Sequence, residues 1–164
     1  MRVAPLIEHG AAHAVVEAIC DAVESRGRTA AIAVADAHGE LIAFLRMDGA
    51  LLGSGTLAAN KAFTAARLAR PTRVLGETLR AKGADVAYYG DPRYVGFGGG
   101  LPVRIDGVVA GAVAVSGLSD DEDEALAGMP RSDASKRRRH RDRACRRPRS
   151  NGMRGISSRT RACP

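Results

Sequence analysis

Apolar positions recur with a helical period at the start of the chain. In "PLIEHGAAHAVVEAICDAVESRG", Ala12, Val15, Val16, Ile19, Ala22 and Val23 fall on one face, while Glu17, Asp21 and Glu24 lie elsewhere. The spacing predicts an amphipathic helix with Pro5 in its first turn and Gly27 beyond its end. The period then changes to two. In "TAAIAVADAHGELIAFLRMDG", Ile32 and Val34 alternate with alanine and Leu41 to Leu45 form a return strand. Asp36, His38 and Gly39 supply turn chemistry between them. "SGTLAANKAFTAARLARP" predicts a second helix, capped by Ser54 or Thr56 and stopped before Pro71. "TRVLGETLRAKG" predicts a third, capped by Thr72 and ended by Gly83, with Leu75 and Leu79 on its buried side. "ADVAYYGDPRYVGFGGG" reads mostly as loop. "LPVRI" and "VVAGAVAVSG" are strands joined by Asp106-Gly107, a type I′ hairpin signal. Ser119 then caps a helix whose first turn, Asp120 to Glu124, is acidic as a helix N-terminus favours.

Charge divides the chain at Gly128. The 164 residues carry a net charge of +7, which taken whole suggests a partner such as nucleic acid or an anionic surface. Residues 128–164 hold 13 Lys/Arg and 2 Asp, a net of +11, whereas residues 1–127 hold 12 Lys/Arg and 16 Asp/Glu, a net of −4. The body is therefore mildly acidic and has no electrostatic need of nucleic acid. The basic segment is poor in Leu, Ile, Val and Phe, so it buries too little apolar area to offset its ordering entropy, and disorder is expected. No aromatic residue interleaves its arginines to stack bases. An unselected tail, such as a shifted reading frame produces, is preferred to a nucleic-acid-binding arm. The expected organisation is one folded unit over 1–127 and an Arg-rich tail over 128–164.

Cys20 is the only cysteine of the body, so no disulfide framework is expected there. The N-terminus carries no secretory signal and no apolar run approaches the length of a membrane span. The default expectation is a cytoplasmic protein without membrane contact.

Four segments, "AVADAHGELIAFLRMDGA", "ANKAFTAARLARPT", "FGGGLPVRIDG" and "VAGAVAVSGLSDDEDEALA", resemble the GlcG/HbpS family in wording and order. This family is also called the haem-degrading domain family and includes the C-terminal domain of PduO-type proteins. The resemblance spans about residues 5–127. It implies an α+β, profilin-like fold, an antiparallel sheet flanked by helices, and assembly into homo-oligomers. It also implies haem as the cofactor. In that family the last helix usually continues for a further Ala-rich turn or two. Here the arginine-rich segment replaces that continuation, as a frame disruption near codon 128 would.

Candidate chemistry is sparse. His9 and His13 lie four apart on the first helix, with Cys20 seven beyond His13, a stripe able to ligate a metal or a haem iron. The alternative is that all three are boundary side chains between core and solvent. His38, at a hairpin tip, is either solvated or reaches a ligand. The Gly98, Gly99, Gly100 run lacks the Lys-Ser/Thr of a phosphate loop and leads into a strand. Such glycines allow tight turns, or backbone approach to a flat ligand. Arg46 and Asp48 either pair with each other or line a pocket, where Arg46 would hold a propionate bidentately. Lys61 is either a carboxylate ligand or a solvated helix charge; the family word "KAxTAA" includes it. Ser116 precedes Gly117 but lacks a nucleophile elbow and an assignable base. No paired carboxylates stand out, and Asp120 to Glu124 reads as helix-end charge.

Two functions follow. One is a haem-binding protein that assists haem degradation, as the resemblance implies, with arginines or Lys61 meeting the propionates. The other is a non-haem accessory protein of a catabolic operon that binds a small carboxylate or a corrinoid. Whether the protein is an enzyme stays open at the level of sequence.

Overall fold

Four strands form one antiparallel sheet in the order β2-β1-β4-β3 in the computed structural model, which describes residues 5–129. The elements run α1 (His9–Glu24), β1 (Ala31–Asp36), β2 (Leu41–Arg46), α2 (Leu52–Leu68), α3 (Thr72–Lys82), a 3-10 turn (Val86–Tyr89), β3 (Gly100–Ile105), β4 (Val108–Ser116) and α4 (Asp120–Ala127). The α+β, helix-flanked antiparallel sheet expected from the sequence is the fold observed. The tail expected to be disordered falls, beyond Met129, outside the described residues.

The alternation in β1 separates two unlike cores. Ile32 and Val34 face one side of the sheet and join Val113 and Val115 of β4, Ala12, Val16, Ile19 and Val23 of α1, and Leu126 of α4. Ala31, Ala33 and Ala35 face the other side and meet Ala58 and Ala62 of α2 and Ala114 of β4. Both faces of β1 are thus buried, one by large side chains and one by methyl groups alone. Small residues on both surfaces let the α2 backbone lie close to the sheet.

The hairpin and the last helix form as the sequence signals. Asp106 and Gly107 both have positive φ, 50° and 79°, as a type I′ turn requires. Ser119 and Glu122 make a reciprocal capping box at the start of α4. Gly83 ends α3 in the left-handed conformation.

Several boundaries differ from expectation. α1 begins at His9, not near Pro5; Ile7 instead packs against the core, and the Glu8 carbonyl accepts the first helical bonds from Ala11 and Ala12. Neither Ser54 nor Thr56 caps α2, which starts at Leu52 after a tight turn from Met47 to Ala50. Thr72 is the first residue of α3 and not its cap, a position Pro71 takes. The Thr72 hydroxyl is engaged elsewhere, accepting from the Gly100 amide at 3.0 Å. The segment read as loop contains the 3-10 turn, whose amide at Ala87 is capped by Asp85. Among the described residues no helix is long and apolar enough to cross a membrane.

Candidate functional site

The residues singled out from the sequence separate into two places. The first is interior. Lys61 sits on the α2 face that meets β4, and its side chain is 1% exposed. Its Nζ donates to Asp123 Oδ2 at 2.9 Å and to the Val115 carbonyl at 3.0 Å. The other carboxylate oxygen, Asp123 Oδ1, accepts from the Leu118 amide at 3.2 Å. Lys61 is therefore not a solvated helix charge; the carboxylate it binds is Asp123, within the chain. It ties α2 to β4 and α4 through a dry ion pair.

The glycine run closes over that pair. Gly98, Gly99 and Gly100 are all buried. Gly99 has φ +111°, and a Cβ there would stand 2.7 Å from both Asp123 Cβ and the Val115 carbonyl oxygen. The Gly98 amide donates to Asp120 Oδ2 at 2.9 Å. The close backbone approach expected of these glycines is real, but it is made to α2 and α4 and not to a flat ligand.

The second place is open. Arg46 and Asp48, just past the end of β2, line a groove of about 390 Å³ with Leu45, Met47, Arg28 and Thr29, closed on the helix side by Cys20 and Glu24 of α1. Arg46 does not pair with Asp48; its Nη1 donates to the Ala50 carbonyl at 3.0 Å. Two arginines, two acidic residues and two sulfur-bearing residues thus line one open depression at the end of the sheet, Cys20 and Met47 from its α1 face and Arg46 with its side chain turned toward Gly55 of α2 on the other. Burial pushes the Cys20 thiol above its usual range, and the negative charges of Glu24 and Asp21 push in the same direction. Cys20 is held as a neutral thiol at neutral pH.

The histidines lie apart from the groove. His9 and His13 are exposed on α1, and among the described residues no set of three His, Cys, Asp or Glu side chains is placed to hold a metal ion. His38 is exposed at the β1–β2 turn, where its amide donates to Asp36 Oδ1 and its carbonyl accepts from Arg67. Only Cys20 of the proposed His–Cys stripe reaches the groove.

Asp123 was hidden among the acidic residues opening α4. One signal distinguishes it: Asp123, Leu126 and Ala127 share a helix face, so this acid falls within the apolar stripe, and all three are buried. Arg28 and Met47, which complete the groove, carry no such signal. Their roles arise because Arg28, just before β1, and Met47, just after β2, meet at the one end of the sheet where Ala31 pairs with Arg46.

Known proteins agree with this architecture. Residues 7–129 match the family model described as haem degrading protein HbpS-like. An uncharacterized 15.0 kDa protein of the dhaT-dhaS intergenic region of Citrobacter freundii is 39% identical over 99 residues, covering 57% of this chain and 68% of that protein. The corrinoid adenosyltransferase PduO of Salmonella typhimurium is 34% identical over 101 residues, 58% of this chain but only 29% of that protein. Among solved structures, Klebsiella pneumoniae protein ORFY superposes with a TM-score of 0.75 at 28% identity, covering 82% of this chain and 94% of that one. A structure described as a PduOC:heme complex gives a TM-score of 0.71 at 27% identity, covering 79% and 94%. With the matched segment spanning every element of the fold from α1 to α4, the chain belongs to the HbpS-like family.

Proposed function

We propose that this protein binds haem and assists its degradation. The observation that carries the reading is the likeness, across the whole fold, to a family described as haem degrading and to a structure described as a haem complex. The groove beside β2 fits the group in its donor set. Arg28, 3.9 Å from Glu122, and Arg46, bonded to the Ala50 carbonyl, would each turn spare guanidinium donors to carboxylates, Leu45 and Met47 offer apolar contact, and Cys20 offers a sulfur ligand. Bound haem would supply a redox-active iron, while the chain's part is to hold the propionates and shield one side of the ring. Lys61 takes no part, because its ammonium is consumed inside the fold.

Haemin titration followed at the Soret band tests the assignment. Arg46→Ala is expected to weaken binding roughly tenfold by removing a charge-assisted contact. His9→Ala, His13→Ala and His38→Ala are expected to leave the band position unchanged, since those side chains lie outside the groove. Ligation by Cys20 requires its thiol to lose a proton, and the raised pKa keeps that proton on through neutral pH. Affinity should therefore rise with pH below the thiol pKa, by up to about tenfold per unit if one proton is released. Cys20→Ser should abolish the slope. A Soret shift in any histidine variant would overturn the Cys20 assignment.

The second reading is an accessory protein that binds a small carboxylate or a corrinoid, favoured by the likeness to part of a corrinoid adenosyltransferase. The same two arginines would serve its carboxylate or amide groups. If haemin gives no saturable Soret change, this reading replaces the first.

We also propose self-association, which the family resemblance implies. The Ala- and Gly-rich faces of α2 and β4 are buried against each other within the chain. Five of the exposed large apolar residues instead lie close in sequence along one side, Leu41, Phe44 and Leu45 on the edge strand β2 and Leu51 and Leu52 where α2 begins. An apolar sheet edge of this kind invites pairing with another copy. Light scattering at micromolar concentration should report more than a monomer, and a Leu41→Lys, Leu52→Lys double variant should shift the mass toward the monomer. A monomeric parent protein would contradict this.

A further inference from the structure

We propose that the C-terminal end of α2 is a binding site for a small anion bearing a phosphate or carboxylate group, held by Arg70 and Arg104 with the Tyr89 hydroxyl. Three independent observations meet there. The first is an orphaned donor: Arg70 Nε is the one buried side-chain polar atom, among the described residues, with no hydrogen-bond partner. Buried donors are nearly always satisfied, so this one marks a guanidinium whose hydrogen-bonding capacity the folded chain leaves largely unspent, its more open Nη groups being the ones an anion would meet. The second is backbone strain. Ala69, immediately before Arg70, ends α2 at φ +53°, a left-handed conformation that costs a residue with a Cβ about 1 kcal/mol. Glycine is the usual occupant of that position. The third is uncompensated charge. Arg67, Arg70 and Arg104 make hydrogen bonds to neutral oxygens, and among the described residues none of the three has a carboxylate at ion-pair distance.

The geometry brings these features to one spot. Arg104 Nη2 donates to the Ala69 carbonyl at 2.7 Å, holding the strained residue, while its Nη1 donates to Gly107 at 3.0 Å. Arg70 Nη2 donates to the Tyr89 hydroxyl at 2.9 Å. Most guanidinium donors of both residues stay unused. Tyr89 is braced by Tyr94 at 4.9 Å between ring centroids, and Tyr94 by Phe63 at 5.2 Å. The nearby acids are already committed: Asp91 lies 2.9 Å and Glu40 3.8 Å from Arg93. The negative end of the helix dipole opposes an anion here, but it amounts to about half a charge against two full guanidinium charges. Planar guanidiniums match both phosphate and carboxylate oxygens bidentately. Arg46 lies at the other end of α2, roughly 25 Å away along the axis at about 1.5 Å per residue, so this site is separate from the haem groove.

The test follows the arginine Nε–Hε resonances of the full chain by ¹⁵N NMR at constant ionic strength, set with sodium chloride. Inorganic phosphate and malonate are titrated separately. A saturable shift of the Arg70 signal, accompanied by Arg104 but not by Arg46, is expected with at least one of them. Saturation by phosphate alone identifies a phosphate group, by malonate alone a carboxylate, and by both a site selective for charge. Arg70→Lys and Arg104→Gln should each weaken the response about tenfold or more, with a melting curve recorded to confirm folding. Shifts that grow linearly with either anion and match those from added chloride overturn the proposal. So does saturation that survives Arg70→Lys undiminished. If either variant fails to fold, the titration of the unaltered protein decides alone.

Discussion

Replacing Asp123 by leucine is expected to destabilise the protein by about 3–5 kcal/mol. Among the described residues Asp123 is the sole carboxylate at ion-pair distance from Lys61, and both side chains are almost fully removed from water, at 2% and 1% exposure. Without it, the ammonium keeps only the Val115 carbonyl and remains a buried charge in a medium that solvates it poorly. Lys61→Met should cost a comparable amount by stranding the carboxylate. The double variant, Lys61→Met with Asp123→Leu, should recover most of the loss, because a buried pair replaced by apolar residues of similar volume is often neutral or stabilising. Urea denaturation of the four proteins measures this as a double-mutant cycle. Additive losses in the double variant would show that the two groups do not depend on one another. This places Lys61 in the architecture of the fold and not in ligand recognition.

Gly76→Ala is expected to be the other severe change, with a loss of about 3 kcal/mol or more. The α3 helix passes against the loop at Gly96, and a Cβ at Gly76 would overlap the Gly96 carbonyl oxygen and stand 2.9 Å from its carbon. Neither partner is a flexible side chain that can rotate away, so the backbone of α3 or of the loop has to move. Gly53→Ala provides the contrast. It lies within α2 with nothing within 4 Å of the added atom, and it should stabilise by about 0.5–1 kcal/mol through the lower entropy of alanine in the unfolded chain. Chemical denaturation of the two variants side by side distinguishes close packing from helix propensity. A Gly76→Ala protein as stable as its parent would mean that α3 does not rest on Gly96.

The parts of the fold visible in the sequence were those set by local chemistry. The change of hydrophobic period located α1, β1 and β2, Asp106-Gly107 required a turn with two positive φ values, and Ser119 with Glu122 made its own cap. The caps of α2 and α3 were misplaced because polar residues near a helix start had other tasks. Ser54 is buried within α2, and the Thr72 hydroxyl reaches across to β3. The candidate site was legible only in part. Arg46 and Asp48 share a groove as expected, whereas Lys61 and Gly98 to Gly100 belong to the interior. Lys61 meets an acid 62 positions away, a separation that no periodicity encodes. Arg70, Arg104 and Tyr89 are unlinked in the sequence for the same reason, since the end of α2, the 3-10 turn and β3 bring them together only in three dimensions.

The alanine layer between α2 and the centre of the sheet has a mechanical consequence. Alanine has no rotamers, so the contact of Ala58 and Ala62 with Ala31, Ala33 and Ala114 has no side-chain freedom to lose on folding and none with which to repack. A leucine-filled interface can absorb a small push by switching rotamers; this one cannot. Anchored further by the Lys61 pair at its middle, α2 behaves as a stiff rod lying on the sheet. The same lack of rotamers leaves this contact little means of accommodating a larger side chain at Ala58 or Ala62 except by lifting α2 off the sheet.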